Sequence, residues 1–399
     1  SPQDTITIFT ELTFFCNRFE VTNVKTAGII TEYNPLHYGH LALIQAVRQQ
    51  FGEDIAIICA MSGDFVQRGE PAALDKYTRT KQALEGGADL VLELPVRYAL
   101  SSAGDFAAGG VCALSALGFV TDLCFGSEWG EIRLFEKTAQ VLHQDQDALA
   151  DAIRKKQKTG VSFAAAREQV LSQQYDLSPS LLSQPNNTLG VEYCLAILNQ
   201  DSPLQPHTIK RQGAGYHEQT LSENFPSATA LRQNMAAENV PHLTLDDFSD
   251  MIGASLLKSR DLTRYKDISP DLAGRIHREL STYHQASDLV ARCQTRIFTE
   301  SRVRRCLLQC LLDLTPEINV SIPYLRLLGM KKKASHLLKQ VTDCRIITRL
   351  AADEKLLTED VLALLRQDIL ASDLYRMIWN RKYGSMERNE YQHSPLLQV

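Results

Sequence analysis

The chain has 399 residues, 44% of them apolar and 22% charged, with 47 acids against 42 Lys and Arg. That length suffices for two domains with cores of their own, and the slight acidic excess excludes nucleic-acid binding by bulk charge, leaving only a local basic patch for it. No stretch reaches the roughly eighteen apolar residues that cross a bilayer. The 9 cysteines include no CxxC pair, which argues against a disulfide framework and a zinc site and for reduced thiols in a cytoplasmic setting, with Cys306 and Cys310 one helical turn apart on an apolar face.

Residues 1–25 contain a fairly apolar run interrupted by Glu11, with no basic segment before it, and read as an N-terminal extension outside the fold and not as a signal peptide. From Thr26 onward, short apolar runs alternate with longer helical patterns. Strands are expected at 27–31, 55–61, 89–94, 122–125 and 208–210, and helices at 40–50, 75–85, 105–117, 132–143 and 187–198. The alternation predicts an α/β, Rossmann-like unit over 26–240 with a parallel sheet and right-handed crossovers. Beyond it, 241–399 turns helical, as in 301–314 and 333–341, and no further strand is expected.

In a parallel sheet, ligands bind beyond the carboxyl ends of the strands, and the polar clusters fall there. His37-Tyr38-Gly39-His40 follows the first strand and opens a helix. The first helical turn leaves N–H groups unpaired at the positive end of the dipole, so phosphate is favoured there. Two imidazoles add donors to an α-phosphate, and Gly39 lets a nucleotide approach the backbone. The plainer reading is a pair of histidines at a helix cap. Asp64, Gln67, Arg68 and Glu70 follow the second strand, where Arg68 can hold a carboxylate or phosphate or pair with Glu70. Gly126 follows the fourth, Arg211 the fifth, and Asn187, after Asn186, reads as a helix cap. Ser227-Ala228-Thr229-Ala230-Leu231-Arg232 is a second helix start, with hydroxyls at the cap and a guanidinium one turn on, suited to β- and γ-phosphates; alone it reads equally as a plain N-cap.

HxGH near the start and S-x-T-x-x-R near the end of such a fold resemble the HxGH nucleotidylyltransferase superfamily. Taken with S-G-D-F-V-Q-R-G-E-P-A, D-L-V-L-E-L-P, F-G-S-E, P-N-N-T-L-G-V-E-Y and I-K-R-Q-G-A-G-Y-H, they resemble the bacterial tRNA(Met) cytidine acetate ligase family, from about Ala27 to the end of the chain. The resemblance implies an enzyme that activates acetate with ATP and Mg²⁺ as acetyl-adenylate and acetylates N4 of the wobble cytidine of elongator tRNA(Met), releasing AMP and pyrophosphate. It implies ATP contacts at Ile30, Thr31, Glu32, Tyr33, Asn34, Pro35, Leu36, His37, Tyr38, Gly39, His40, Leu41, Ala42, Leu43, Gly126, one of Asn186 and Asn187, and Arg211. Asp64 and Ser227 join these as candidate nucleotide contacts, and His37, His40, Thr229 and Arg232 are the candidate catalytic groups; no dedicated metal ligands are expected. Tyr38 stands where the family usually has Asn, and Leu36 where Phe is common.

Arg292, Arg296, Arg302, Arg304 and Arg305 form a basic stretch suited to a phosphate backbone, or else a solvated helix face, so 241–399 is the expected tRNA-binding domain. Rival readings are a metabolite adenylyltransferase that leaves AMP on its product and a non-catalytic tRNA-binding protein. A class I aminoacyl-tRNA synthetase, whose lysine-rich loop Met330-Lys331-Lys332-Lys333 resembles, is set aside because no strand is expected before that segment.

Overall fold

The computed structural model describes residues 25–175, 177, 181–182, 184–211, 231–232, 235, 237–316 and 320–398. Ser227 and Thr229, and all of the expected extension but Lys25, lie outside the described residues.

The first part runs β1 (Thr26–Thr31), α1 (Tyr38–Phe51), β2 (Ala56–Ser62), the hairpin strands β3 (Phe65–Val66) and β4 (Glu70–Pro71), α2 (Lys76–Glu85), β5 (Leu90–Leu94), α3 (Ala103–Ser115) and β6 (Asp122–Ser127). It continues with α4 (Ile132–Gln144), α5 (Gln146–Gln157), α6 (Phe163–Tyr175), α7 (Pro185–Asn199) and β7 (Gln205–Lys210). All seven residues of β2 are buried, as a strand covered by helices on both faces must be. Alternate side chains of β1 serve opposite faces: Ile30 packs with Phe106, Leu114 and Val191, while Ile29 packs with Ile44, Val47 and Leu84. β2 and β5 are laid down on one side of β1, and the chain then crosses to place β6 and β7 on the other, all parallel. The switch point therefore lies between β1 and β6, where a crevice opens at the strand ends.

Beyond Thr244 come the helices α8 (Ser249–Lys258), α9 (Pro270–Leu280), α10 (Ala286–Cys293) and α11 (Glu300–Leu311). They close their own core around Phe248, Ile252, Leu272, Leu289 and Leu307, into which Phe65, Val96 and Leu100 of the first part project. Here the expectation of no further strand is overturned. β8 (Tyr324–Lys331) enters the sheet antiparallel to β5, β9 (Arg345–Ile347) pairs with β8, and after the long helix α12 (Glu359–Tyr383) the tail adds β10 (Leu396–Gln398) beside β8, completing an eight-stranded sheet. β8 escaped the sequence because its first six residues are all buried, so Tyr-Leu-Arg-Leu-Leu-Gly carries no two-residue alternation. The 333–341 pattern is a 3₁₀ helix, Lys332–Gln340. Asn187 is also not the cap of its helix: Gln184 is, with Pro185 in the first turn.

The returning strand and tail close a buried charge cluster. Lys76 is 0% exposed, and its Nζ lies 2.9 Å from Glu93, 2.9 Å from Glu390 and 2.7 Å from the Ser372 hydroxyl. Arg326, opposite Glu93 in the sheet, meets Glu93 at 3.4 Å and also pairs with Glu390. Burial works against the ionised Glu390, yet Lys76 and Arg326 overcome it and hold its carboxyl down at about 2. Replacing Glu390 with Gln leaves two buried cations short of an anion, and urea unfolding should show a loss of about 3–5 kcal/mol at neutral pH. Because the folded pKa lies below the ordinary 4.5, this stabilisation is full above that pH and fades as the pH falls toward 2, so the parent and E390Q stability curves should converge across that window.

Candidate active site

The helix that follows β1 is capped by its own histidines. His37 is the N-cap residue in an extended conformation; its Nδ1 accepts the Gly39 N–H at 3.0 Å, and the His40 Nδ1 accepts the His37 N–H at 3.2 Å. Since both Nδ1 atoms are acceptors, the neutral rings carry their protons on Nε2 and offer two N–H donors. The rings stack at 3.7 Å, and Tyr33 meets His40 edge-on at 4.9 Å. Burial pushes the His37 imidazole down to about 4, with the Arg211 guanidinium adding to the effect; burial, then His37 and Arg211, push His40 well below its ordinary value. Protonating either ring would also sacrifice a cap hydrogen bond. A Cβ at Gly39 would stand 2.9 Å from the His37 ring, so the tight approach requires glycine.

Four strand ends converge here. Arg211, just past β7, packs over Gly126 of β6, its Cγ 3.2 Å from where a Cβ would stand, and its Nη2 reaches 3.5 Å from the same point at Gly39. Beyond β6, Glu128 accepts from the Asn186 amide at 2.7 Å and from the Asn187 N–H at 2.9 Å. The buried Asn187 returns its Oδ1 to the N–H groups of Glu128 and Trp129, while its Nδ2 has no hydrogen-bond partner among the described residues. Of the two asparagines, Asn186 is engaged and Asn187 keeps an amide donor.

The crevice rim is fixed from below by Arg79, which the sequence reading passed over. It is 0% exposed and donates to the carbonyl oxygens of Glu32 (2.6 Å), Ser62 (3.0 Å), Leu74 (2.9 Å) and Gly63. Arg232, the described part of the second phosphate motif, donates to the Asn34 carbonyl at 2.8 Å and lies 3.8 Å from Glu70. The Asn34 side chain accepts from Ala73 N–H at 2.7 Å. Glu32 accepts from the Gln67 N–H at 2.7 Å; burial raises its carboxyl despite Arg68, Arg79 and Arg232 nearby. Asp64 faces away from this group: its carboxylate accepts the Lys76 N–H at 2.9 Å, and burial pushes it up to about 6.

The HIGH Nucleotidyl Transferase family model matches residues 24–390. The tRNA(Met) cytidine acetate ligase of Clostridium perfringens is 33% identical over 393 residues, covering 89% of this chain and 96% of the relative, and that of Caldicellulosiruptor saccharolyticus is 33% identical, covering 94% and 98%. The crystal structure of Thermotoga maritima TmcAL bound with alpha-thio ATP superposes with a TM-score of 0.82 at 28% identity, covering 94% of this chain and 99% of that one. The chain belongs to the tRNA(Met) cytidine acetate ligase family.

For a member of this ligase family, the placement of the basic stretch matters as much as the crevice. Both expectations for the five arginines, a surface for a phosphate backbone or a solvated helix face, require exposure, and Arg305 lacks it: it is buried against Asp267 at 3.7 Å and the Gln67 carbonyl at 3.3 Å. Arg304 pairs with Glu70 and Glu300, Arg302 donates to the Asp267 carbonyl at 3.0 Å, and Arg292 lies 3.6 Å from Glu279. Arg296 is exposed. The lysine-rich segment does follow a strand, contrary to expectation. It lies at the opposite end of the sheet, however, where the Lys331 N–H bonds the Asp89 carbonyl at 2.8 Å and Lys333 pairs with the Asp89 side chain at 2.9 Å, so the synthetase reading fails on position. Among the described residues no helix is long and apolar enough to cross a membrane.

The neutral-imidazole arrangement is open to NMR. The His37 ring resonances should titrate near 4, leaving it uncharged at pH 7, and Arg211→Gln should move that midpoint part of the way back toward the ordinary 6.5. A midpoint already at 6.5 in the parent protein would contradict the assignment.

Proposed function

We propose that this chain is an ATP-dependent ligase that activates acetate as acetyl-adenylate and transfers the acetyl group to N4 of the wobble cytidine of elongator tRNA(Met) in the cytoplasm. The observation that carries the reading is the pair of Nε2 donors at the start of α1, facing the switch point beside Arg211 and Gly126. An acetate oxygen attacks the α-phosphorus and pyrophosphate leaves. This displacement asks the protein for alignment and charge neutralisation and for little covalent chemistry. His37 and His40 donate to the α-phosphate oxygens, Arg211 and Asn187 hold the nucleotide, and Arg232, with Ser227 and Thr229, holds the departing phosphates. Mg²⁺, bound together with the triphosphate, would neutralise part of its charge. The N4 amine of an unstacked anticodon base then attacks the acetyl carbonyl, AMP leaves with the C–O bonding electrons, and the nitrogen loses a proton. Residues 241–399, with Arg292, Arg296 and Arg302, supply the tRNA surface.

Acetate should stimulate isotope exchange between pyrophosphate and ATP without tRNA, and His40→Ala should reduce it by at least about a hundredfold, the scale for losing one preorganised donor to developing charge. Nucleoside mass spectrometry on tRNA incubated with ATP and acetate should reveal N4-acetylcytidine; AMP retained on a small-molecule product would instead mark a metabolite adenylyltransferase.

Arg296→Glu should weaken tRNA binding and flatten its salt dependence by about one unit of log–log slope per lost phosphate contact, with acetate-dependent exchange retained. Unaltered affinity moves the tRNA surface elsewhere.

A further inference from the structure

The β3–β4 hairpin touches two parts of the molecule at once. On the crevice side, the Gln67 N–H donates to Glu32 at 2.7 Å, and Glu70 lies 3.8 Å from the Arg232 Nε. On the helical side, Glu70 pairs with Arg304 of α11, and the Gln67 carbonyl accepts from Arg305 at 3.3 Å. Gly69, at φ +79, is so close to α11 that a Cβ there would stand 2.5 Å from the Arg305 nitrogen and 2.7 Å from the Arg304 Cβ. The hairpin is clamped to that helix, and one carboxylate is shared by guanidiniums from two distant stretches of chain.

We propose that Glu70 is a positioning residue: held and charge-balanced by Arg304, its carboxylate orients Arg232 toward the triphosphate, so that α11 sets nucleotide affinity. This rests on the reading of Arg232 as a phosphate-holding group. A guanidinium hydrogen-bonded at Nη1 to the Asn34 carbonyl, 2.8 Å away, with a carboxylate 3.8 Å from its Nε, has the direction of its planar fork set by those two groups. An unbalanced carboxylate beside a polyphosphate would repel it; Arg304, which also pairs with Glu300, offsets part of that charge, so that less of it falls on Arg232.

The test is the ATP dependence of acetate-stimulated pyrophosphate exchange, measured without tRNA on the full chain. Arg304→Gln should raise the KM for ATP about three- to tenfold with kcat changed less than twofold, and Arg304→Lys, which keeps the charge, should restore most of it. Glu70→Gln should also raise the KM, and the double variant E70Q/R304Q should be no worse than E70Q alone, because Arg304 then has no carboxylate at position 70 through which to act on Arg232. A purely structural clamp would lower the Tm, leave the KM for ATP unchanged and give additive effects; either an unchanged KM in R304Q or additivity overturns the proposal. Arg232→Gln separates the two readings. If it leaves the KM for ATP unchanged, the phosphate role of Arg232 falls; if it raises the KM while R304Q does not, only the role of Glu70 falls.

Discussion

The crevice is built on one buried guanidinium. Where β1 and β2 end, their last carbonyl oxygens have no further strand to bond, and a buried acceptor without a donor is costly. Arg79 reaches up from α2 and donates to the carbonyls of Glu32, Ser62, Gly63 and Leu74 together. Arginine suits this work because its planar fork carries five donors and stays charged when desolvated. From the strand ends it fixes depart both the histidine loop and the hairpin, so the positions of His37, Glu32 and Glu70 all inherit its constraint.

On that base the site spends hydrogen bonds to stay neutral. The two imidazoles cap a helix through Nδ1, which fixes ring orientation and tautomer before any ligand arrives. Positive charge comes instead from two guanidiniums, Arg211 beside His37 and Arg232 beside Asn34. Separating fixed charge from aimed donors lets the site meet a polyanion without the repulsion that two stacked imidazolium rings would create.

The helical layer is tied to the sheet by the same kind of chemistry. Two of its arginines are joints: Arg305 to the Gln67 carbonyl, Arg304 to Glu70. The tail does likewise through Glu390, whose carboxylate joins Lys76 on α2 to Arg326 on β8. The buried pairs of Glu390 contribute little net stability when formed but cost much when broken, so they fix the arrangement of layers more than they strengthen it.

The sequence by itself determined the parallel sheet and the strand-end placement of the histidine motif, because apolar runs, helix starts and glycine positions are local signals read within a few residues. The five expected strands and helices appear within a few residues of their expected bounds, and His37 and His40 stand at the helix start. Tertiary structure alone decided the rest. β8 joins the sheet through a pairing with β5 more than two hundred residues away in sequence, and a strand whose first six residues are all buried carries no alternation to announce it. Which asparagine keeps a donor depends on Glu128, and which arginine is solvated depends on Asp267 and Glu70. A charged residue's role is set by the partner that folding brings to it, and the linear chain does not record that partner.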